Sequence, residues 1–291
     1  MKKILALLVI VFFTGKDAPA QRKTGRLQSP VLREVSGAAF SHRYKDRLYV
    51  HNDSGDGNRL FIINPAGKLL STINFKTDTE AKDCEDIAIG PGPKPGKSYI
   101  YLADIGDNEG MRTNITLFRI EEPDSLEQDL NLGAERITLH YPDGPRDAEA
   151  MLIDPVDRNL YIFSKREDSQ HIYRCSIDFQ HGDTVEPGLC GYLVLKNKNK
   201  SSWLVAADIT QSGDAVLLKT INDVYYWRRQ NKEPVYRLVQ KKTIPQKAYK
   251  SEGQQEAIAF SRDGKGYYVL AEGRGSPIYF YYIAGYSKTG D

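Results

Sequence analysis

One strand-like phrase recurs five times along this chain, and it limits the fold to a repeat architecture. The copies are Ser36-Gly37-Ala38-Ala39-Phe40-Ser41, Glu85-Asp86-Ile87-Ala88-Ile89-Gly90-Pro91, Glu149-Ala150-Met151-Leu152-Ile153-Asp154-Pro155, Ala207-Asp208-Ile209-Thr210-Gln211-Ser212-Gly213 and Glu256-Ala257-Ile258-Ala259-Phe260-Ser261. They open roughly 50 to 60 residues apart, a period typical of propellers and solenoids, in which one unit cannot bury its own apolar face. Packing alone does not account for the opening column of Ser36, Glu85, Glu149, Ala207 and Glu256, which is polar in all copies but one.

Strand-forming runs follow each copy. They cover 47–53, 59–64 and 69–75 in the first unit, and 98–104, 115–121 and 135–141 in the second. The third unit has 159–165, 171–177 and 192–196, and the fourth 215–221, 223–229 and 236–244. Four strands per unit make one propeller blade. The fifth unit offers only 266–271 and 277–283, so its outer strand must come from elsewhere if the sheet is not to leave an open edge. The stretch 26–32 is available for that. The expected fold is therefore all-β: a single-domain, five-bladed propeller over 21–291, its last blade closed by an N-terminal strand. A six-bladed alternative would hide a degenerate blade between Ile105 and Pro145, and a sandwich would be less regular in period. The motif strand should be innermost, because its interior is apolar on both faces and the recurring Ala39, Ala88 and Ala259 suit a crowded axis.

Lys2 and Lys3, an apolar run from Ile4 to Phe13 and then Ala18-Pro19-Ala20 read as an export signal over 1–20. The mature protein is expected in the periplasm or outside the cell, away from the membrane, since no second apolar stretch is long enough to span one. With 40 basic and 38 acidic residues the net charge is only +2, and no basic block points to nucleic acid. Cys175 and Cys190 fall on neighbouring strands of one blade, which leaves open a disulfide or two buried thiols. Cys84 has no evident partner.

Residues opening the inner strands ring the channel at one face. Three glutamates converging there cannot all stay ionised without compensation. An all-oxygen set suits Ca²⁺, which takes about six to eight oxygen ligands. The expected metal ligands are Ser36, Glu85, Glu149, Asp208 and Glu256. The competing reading has each glutamate capping backbone N–H groups or pairing with Arg33 or Arg146. Asp86 either reaches the channel or bonds the neighbouring blade. The loops His51-Asn52-Asp53-Ser54-Gly55-Asp56-Gly57-Asn58 and Asp104-Ile105-Gly106-Asp107-Asn108 share this face and are turn chemistry first. His51, Asp104 and Asn108 are candidate ligand contacts on this rim. Lys165, Arg166, Lys219 and Arg274 take equivalent places in later blades, and this basic half-rim would hold an anionic substrate.

The strings at 36–41, 51–56, 85–88, 104–108, 147–150 and 256–259 together resemble a group of uncharacterised exported bacterial propellers, a likeness covering Ser36 to about Phe280 that implies only the fold. The group often has Trp where this chain has Cys84. The channel column also resembles the soluble calcium-activated nucleotidases (apyrases), five-bladed propellers with an axial Ca²⁺ held by Ser and Glu residues. Ser36, Glu85, Glu149 and Glu256 match that pattern and Ala207 departs from it. This second resemblance implies Ca²⁺ binding more firmly than nucleotide hydrolysis.

Two functions compete. One is a Ca²⁺-dependent hydrolase of a phosphorylated or other anionic substrate, with Asp53 or Glu149 as base and Lys165, Lys219 or Arg274 holding the substrate. The other is a non-catalytic module with structural Ca²⁺ that binds a protein or glycan, for which Tyr279, Tyr281 and Tyr282 are candidates. A sugar-active enzyme would need a metal-free carboxylate pair.

Overall fold

The structure, a computed structural model, describes residues 21–126, 129–195, 200–246 and 254–283. The expected export signal over 1–20 lies outside them. The first blade is β2 (Val35–Phe40), β3 (Leu48–Asn52), β4 (Arg59–Ile63) and β5 (Leu69–Lys76), and the second β6 (Cys84–Pro91), β7 (Ser98–Asp104), β8 (Ile115–Glu121) and β10 (Glu135–Leu139). The third is β11 (Ala148–Asp154), β12 (Asn159–Ser164), β13 (Gln170–Ser176) and β15 (Gly188–Leu193). The fourth is β16 (Leu204–Ile209), β17 (Ala215–Thr220), β18 (Val224–Arg228) and β19 (Ile244–Pro245). The fifth is β20 (Gln255–Phe260), β21 (Gly266–Ala271), β22 (Pro277–Tyr282) and, completing it, β1 (Gln21–Arg26). Around the axis β2 packs beside β6, β6 beside β11, β11 beside β16, β16 beside β20, and β20 beside β2. The ring is a five-bladed propeller.

The motif strands hold the blades together by presenting one apolar face to each neighbour. Ile87 and Ile89 of β6 join the core shared with the first blade, while Ala88 joins the one shared with the third. Met151 and Ile153 face the second blade, and Ala150 and Leu152 the fourth. Five such cores fill the five gaps between blades.

Three local expectations are corrected. The closing strand is Gln21–Arg26, just ahead of the expected 26–32; it runs antiparallel to β22, and the Gln21 side chain donates to the Tyr281 hydroxyl at 2.9 Å. The long second unit hides no sixth blade. Its extra residues carry β9 (Leu130–Gly133), which leaves the second blade and adds in parallel to β5 of the first. Likewise β14 (Thr184–Val185) leaves the third blade and adds in parallel to β10 of the second. The expected strand over 236–244 begins as a helical turn, α1 (Val235–Leu238), that packs on β15. Pro234 has no N–H to give a ladder, and Val235, Leu238 and Val239 are buried together at helical spacing. All three cysteines carry free thiols. Cys190 sits at a bulge near Ile172, to whose carbonyl its thiol donates at 3.2 Å, and it does not face Cys175.

Candidate functional site at the channel mouth

Every inner strand carries a β-bulge at its second residue. Pairing skips from Val35 to Gly37, Cys84 to Asp86, Ala148 to Ala150, Leu204 to Ala206 and Gln255 to Ala257. The bulged residues are Ser36, Glu85, Glu149, Val205 and Glu256. A bulge re-aims a side chain at a sheet margin, and here it does so at the same point of all five blades. The fourth copy is thus in register two residues earlier than the sequence phrase suggests: Val205, and not Ala207, stands in the column, and Asp208 lies three places beyond it.

A second ring comes from the residues leaving the second strand of each blade. Their amides bond back to the entering chain: Asp53 to Glu34, Gly106 to Asp83, Lys165 to Asp147, Ile221 to Trp203 and Glu272 to Gln254. Each blade therefore sets two residues at the mouth, and the pairs differ. In the third blade the Lys165 ammonium donates to the Glu149 carboxylate. In the fifth, the Glu272 and Glu256 carboxyl groups lie close enough to interact. The fourth blade has the apolar pair Val205 and Ile221. In the second blade Gly106 stands opposite Glu85, and a Cβ there would lie 2.2 Å from Glu85 Oε1 and 2.4 Å from Asp83 Oδ2. Glycine here leaves the space that the two carboxylates occupy, and a larger residue would make them shift. The first blade pairs Ser36, whose hydroxyl donates to the Glu85 carbonyl at 3.3 Å, with Asp53.

The acidic groups are crowded and their titration shows it. Burial, followed by repulsion from Glu149, Asp53 and Asp83, holds Glu85 well above the usual carboxylate range. Burial raises Glu149 to about 7 against the pull of Lys165, and burial with the Glu256 contact raises Glu272 to about 8. Burial raises Asp53 and Asp83 as well; the Ser54 amide opposes this at Asp53 and Arg112 at Asp83. Single ligand atoms of Asp53, Asp83 and Glu85 all lie within 4.8 Å of one another, a grouping able to hold a metal ion. Glu85 is only 5 % exposed, and among the described residues no hydrogen-bond donor reaches its carboxylate. Asp53 Oδ1 is also buried and without a partner.

The other expected site residues have definite places. Asp208 accepts from the amides of Ile209 at 2.8 Å and Phe260 at 2.6 Å, and burial raises it to about 7. It thus ties the fourth blade to the fifth. Asp86, fully buried at the axis, accepts from Ile87, Met151 and Ala207, so it spans three blades. Asp104 caps the amides of Lys82 and Asp83 and pairs with Arg112 at 2.8 Å. Arg166 bonds Asp147 at 2.6 Å and also Asn108, and its guanidinium lies 4.6 Å from the Trp203 ring centroid. Lys219 is buried, donates to the Thr220 carbonyl at 2.7 Å, and is depressed to about 7 by burial. Arg274 is exposed. The buried His51 ring covers Gly37, where a Cβ would fall 2.2 Å from Nε2, and burial lowers it to about 4. Arg146 pairs with Glu167 and Asp143 and Arg33 with Glu34, so neither neutralises a column glutamate.

The sequence phrase pointed to Glu85 but missed Asp83, Gly106 and Glu272. A usable signal for Asp83 was its spacing of two from Glu85, which places both at one strand entrance. No protein-family model matches the chain, and no curated protein matches its sequence.

Proposed function

We propose that this protein is an exported calcium-binding propeller whose cation sits at the channel mouth on Asp53, Asp83 and Glu85. The observation that carries this reading is Glu85: it is a buried residue whose carboxylate, among the described residues, accepts no hydrogen bond from a protein donor, whereas Glu149 has the Lys165 ammonium. A carboxylate buried among two others is tolerable when it is protonated or bound to a cation. A grouping of three carboxylates with no imidazole or thiolate in it suits a hard cation, and Ca²⁺ accepts such an irregular set more readily than Mg²⁺. Bound there, the ion would supply charge for holding an anionic group on the open face.

A small phosphorylated or other anionic molecule is one ligand of that face. Hydrolysis of such a molecule would use Asp53 or Glu149 as base. Of the basic groups that could hold it, Lys165 is engaged with Glu149, Lys219 with a backbone carbonyl and Arg166 with Asp147, while Arg274 is exposed. This favours the second reading, in which the cation is structural and the rim binds a protein or glycan. Calorimetric titration of purified protein with CaCl₂, beside Glu85→Gln, tests the metal: a stoichiometric binding heat in the wild type only is expected. Phosphate release from a nucleotide and phytate panel, measured with calcium and with chelator, separates the two functions.

A further inference from the structure

At the strand ends away from the acidic mouth, the gap between the fifth and first blades opens into a cavity of about 620 Å³. That size falls in the range of small-molecule sites. Four half-buried aromatic rings line it in sequence. Phe40 stacks on Tyr268 at 5.8 Å, Tyr268 meets Phe280 at 5.0 Å, and Phe280 meets Tyr282 edge-on at 4.9 Å. The ladder fixes this row, because Tyr268 pairs with Phe280 and Phe280 pairs with Arg22 of the closing strand. The rim carries Arg22, Lys45, Arg262 and Lys265 against only Asp46 and Asp263. Lys265 reaches Asp263 at 3.9 Å, while among the described residues no ion pair reaches Arg22, Lys45 or Arg262.

Rings left half-exposed beside four cations and only two carboxylates call for a ligand with a flat apolar face and negative charge. We propose that this cavity binds a small anion bearing an aromatic ring, with the ring on the Tyr268–Phe280 face and the charge among the rim cations. A neutral saccharide would use the rings but not the charge, and a free phosphate the charge but not the rings. The site is independent of the calcium reading, since it lies at the other end of the strands.

The test is calorimetric titration of the full chain with phenyl phosphate, inorganic phosphate, benzyl alcohol and glucose. Phenyl phosphate is expected to bind at least about tenfold tighter than each of the others, because only it satisfies both features. Tyr268→Ala and the exposed Arg22→Glu should each weaken it by about tenfold, and Glu85→Gln should leave it unchanged. Arg22→Glu stands on its own if Tyr268→Ala fails to fold. Absence of phenyl phosphate binding, equal binding of phosphate, benzyl alcohol or glucose, indifference to Arg22→Glu, or loss in Glu85→Gln would each overturn the proposal.

Discussion

Whether Glu85 is compensated depends on one missing atom. Gly106 leaves the space that two carboxylates occupy, so Gly106→Ala should push Glu85 and Asp83 apart. The expected result is loss of the calcium-induced rise in melting temperature, read by differential scanning calorimetry with and without chelator. Glu272 makes a second residue-level prediction. Its folded pKa of about 8 lies above its ordinary 4.5, so the folded state binds more protons than the unfolded state between those values. The Glu272 contribution to the stability of the metal-free protein is therefore fully present below about 4.5 and is lost as pH rises through about 8. Glu272→Gln should flatten that decline in a pH series of melting temperatures. Calcium stabilisation should run the other way and grow with pH, because ligands must ionise to bind.

At the scale of the element, the inner strand explains both what could be read in the sequence and what could not. The unbroken apolar runs Ile87-Ala88-Ile89 and Ile258-Ala259-Phe260 report two-sided burial directly, so the blades were legible. The bulge was not: an extra residue leaves no mark in composition, and Val205 looks like ordinary core. That is why Asp208 seemed to belong to the metal column. Its role and that of Asp86 follow from a different need, since an innermost strand turns unpaired amides toward the channel. Asp86→Ala would strand the amides of Ile87, Met151 and Ala207. At about 1–3 kcal/mol per buried unsatisfied group, the loss should be at least about 3 kcal/mol in urea unfolding.

Across the whole molecule, the second, third and fourth blades each lend an element to the outer edge of the one before. β9 covers the first blade, β14 the second and α1 the third, and β1 completes the fifth. Long-range lending of this kind has no local sequence signature, so the surplus length between Ile105 and Pro145 suggested a hidden blade. A chain beginning at Leu27 would leave the β22 edge open. It should melt lower than the full chain and self-associate, which light scattering would detect.

The most direct test of the central claim is an anomalous-difference map from a crystal grown with calcium. The account predicts a peak at the channel mouth within about 2.3–2.6 Å of oxygens from Asp53, Asp83 and Glu85. A calcium-saturated crystal with no peak there, or with its only peak on other residues, would contradict it.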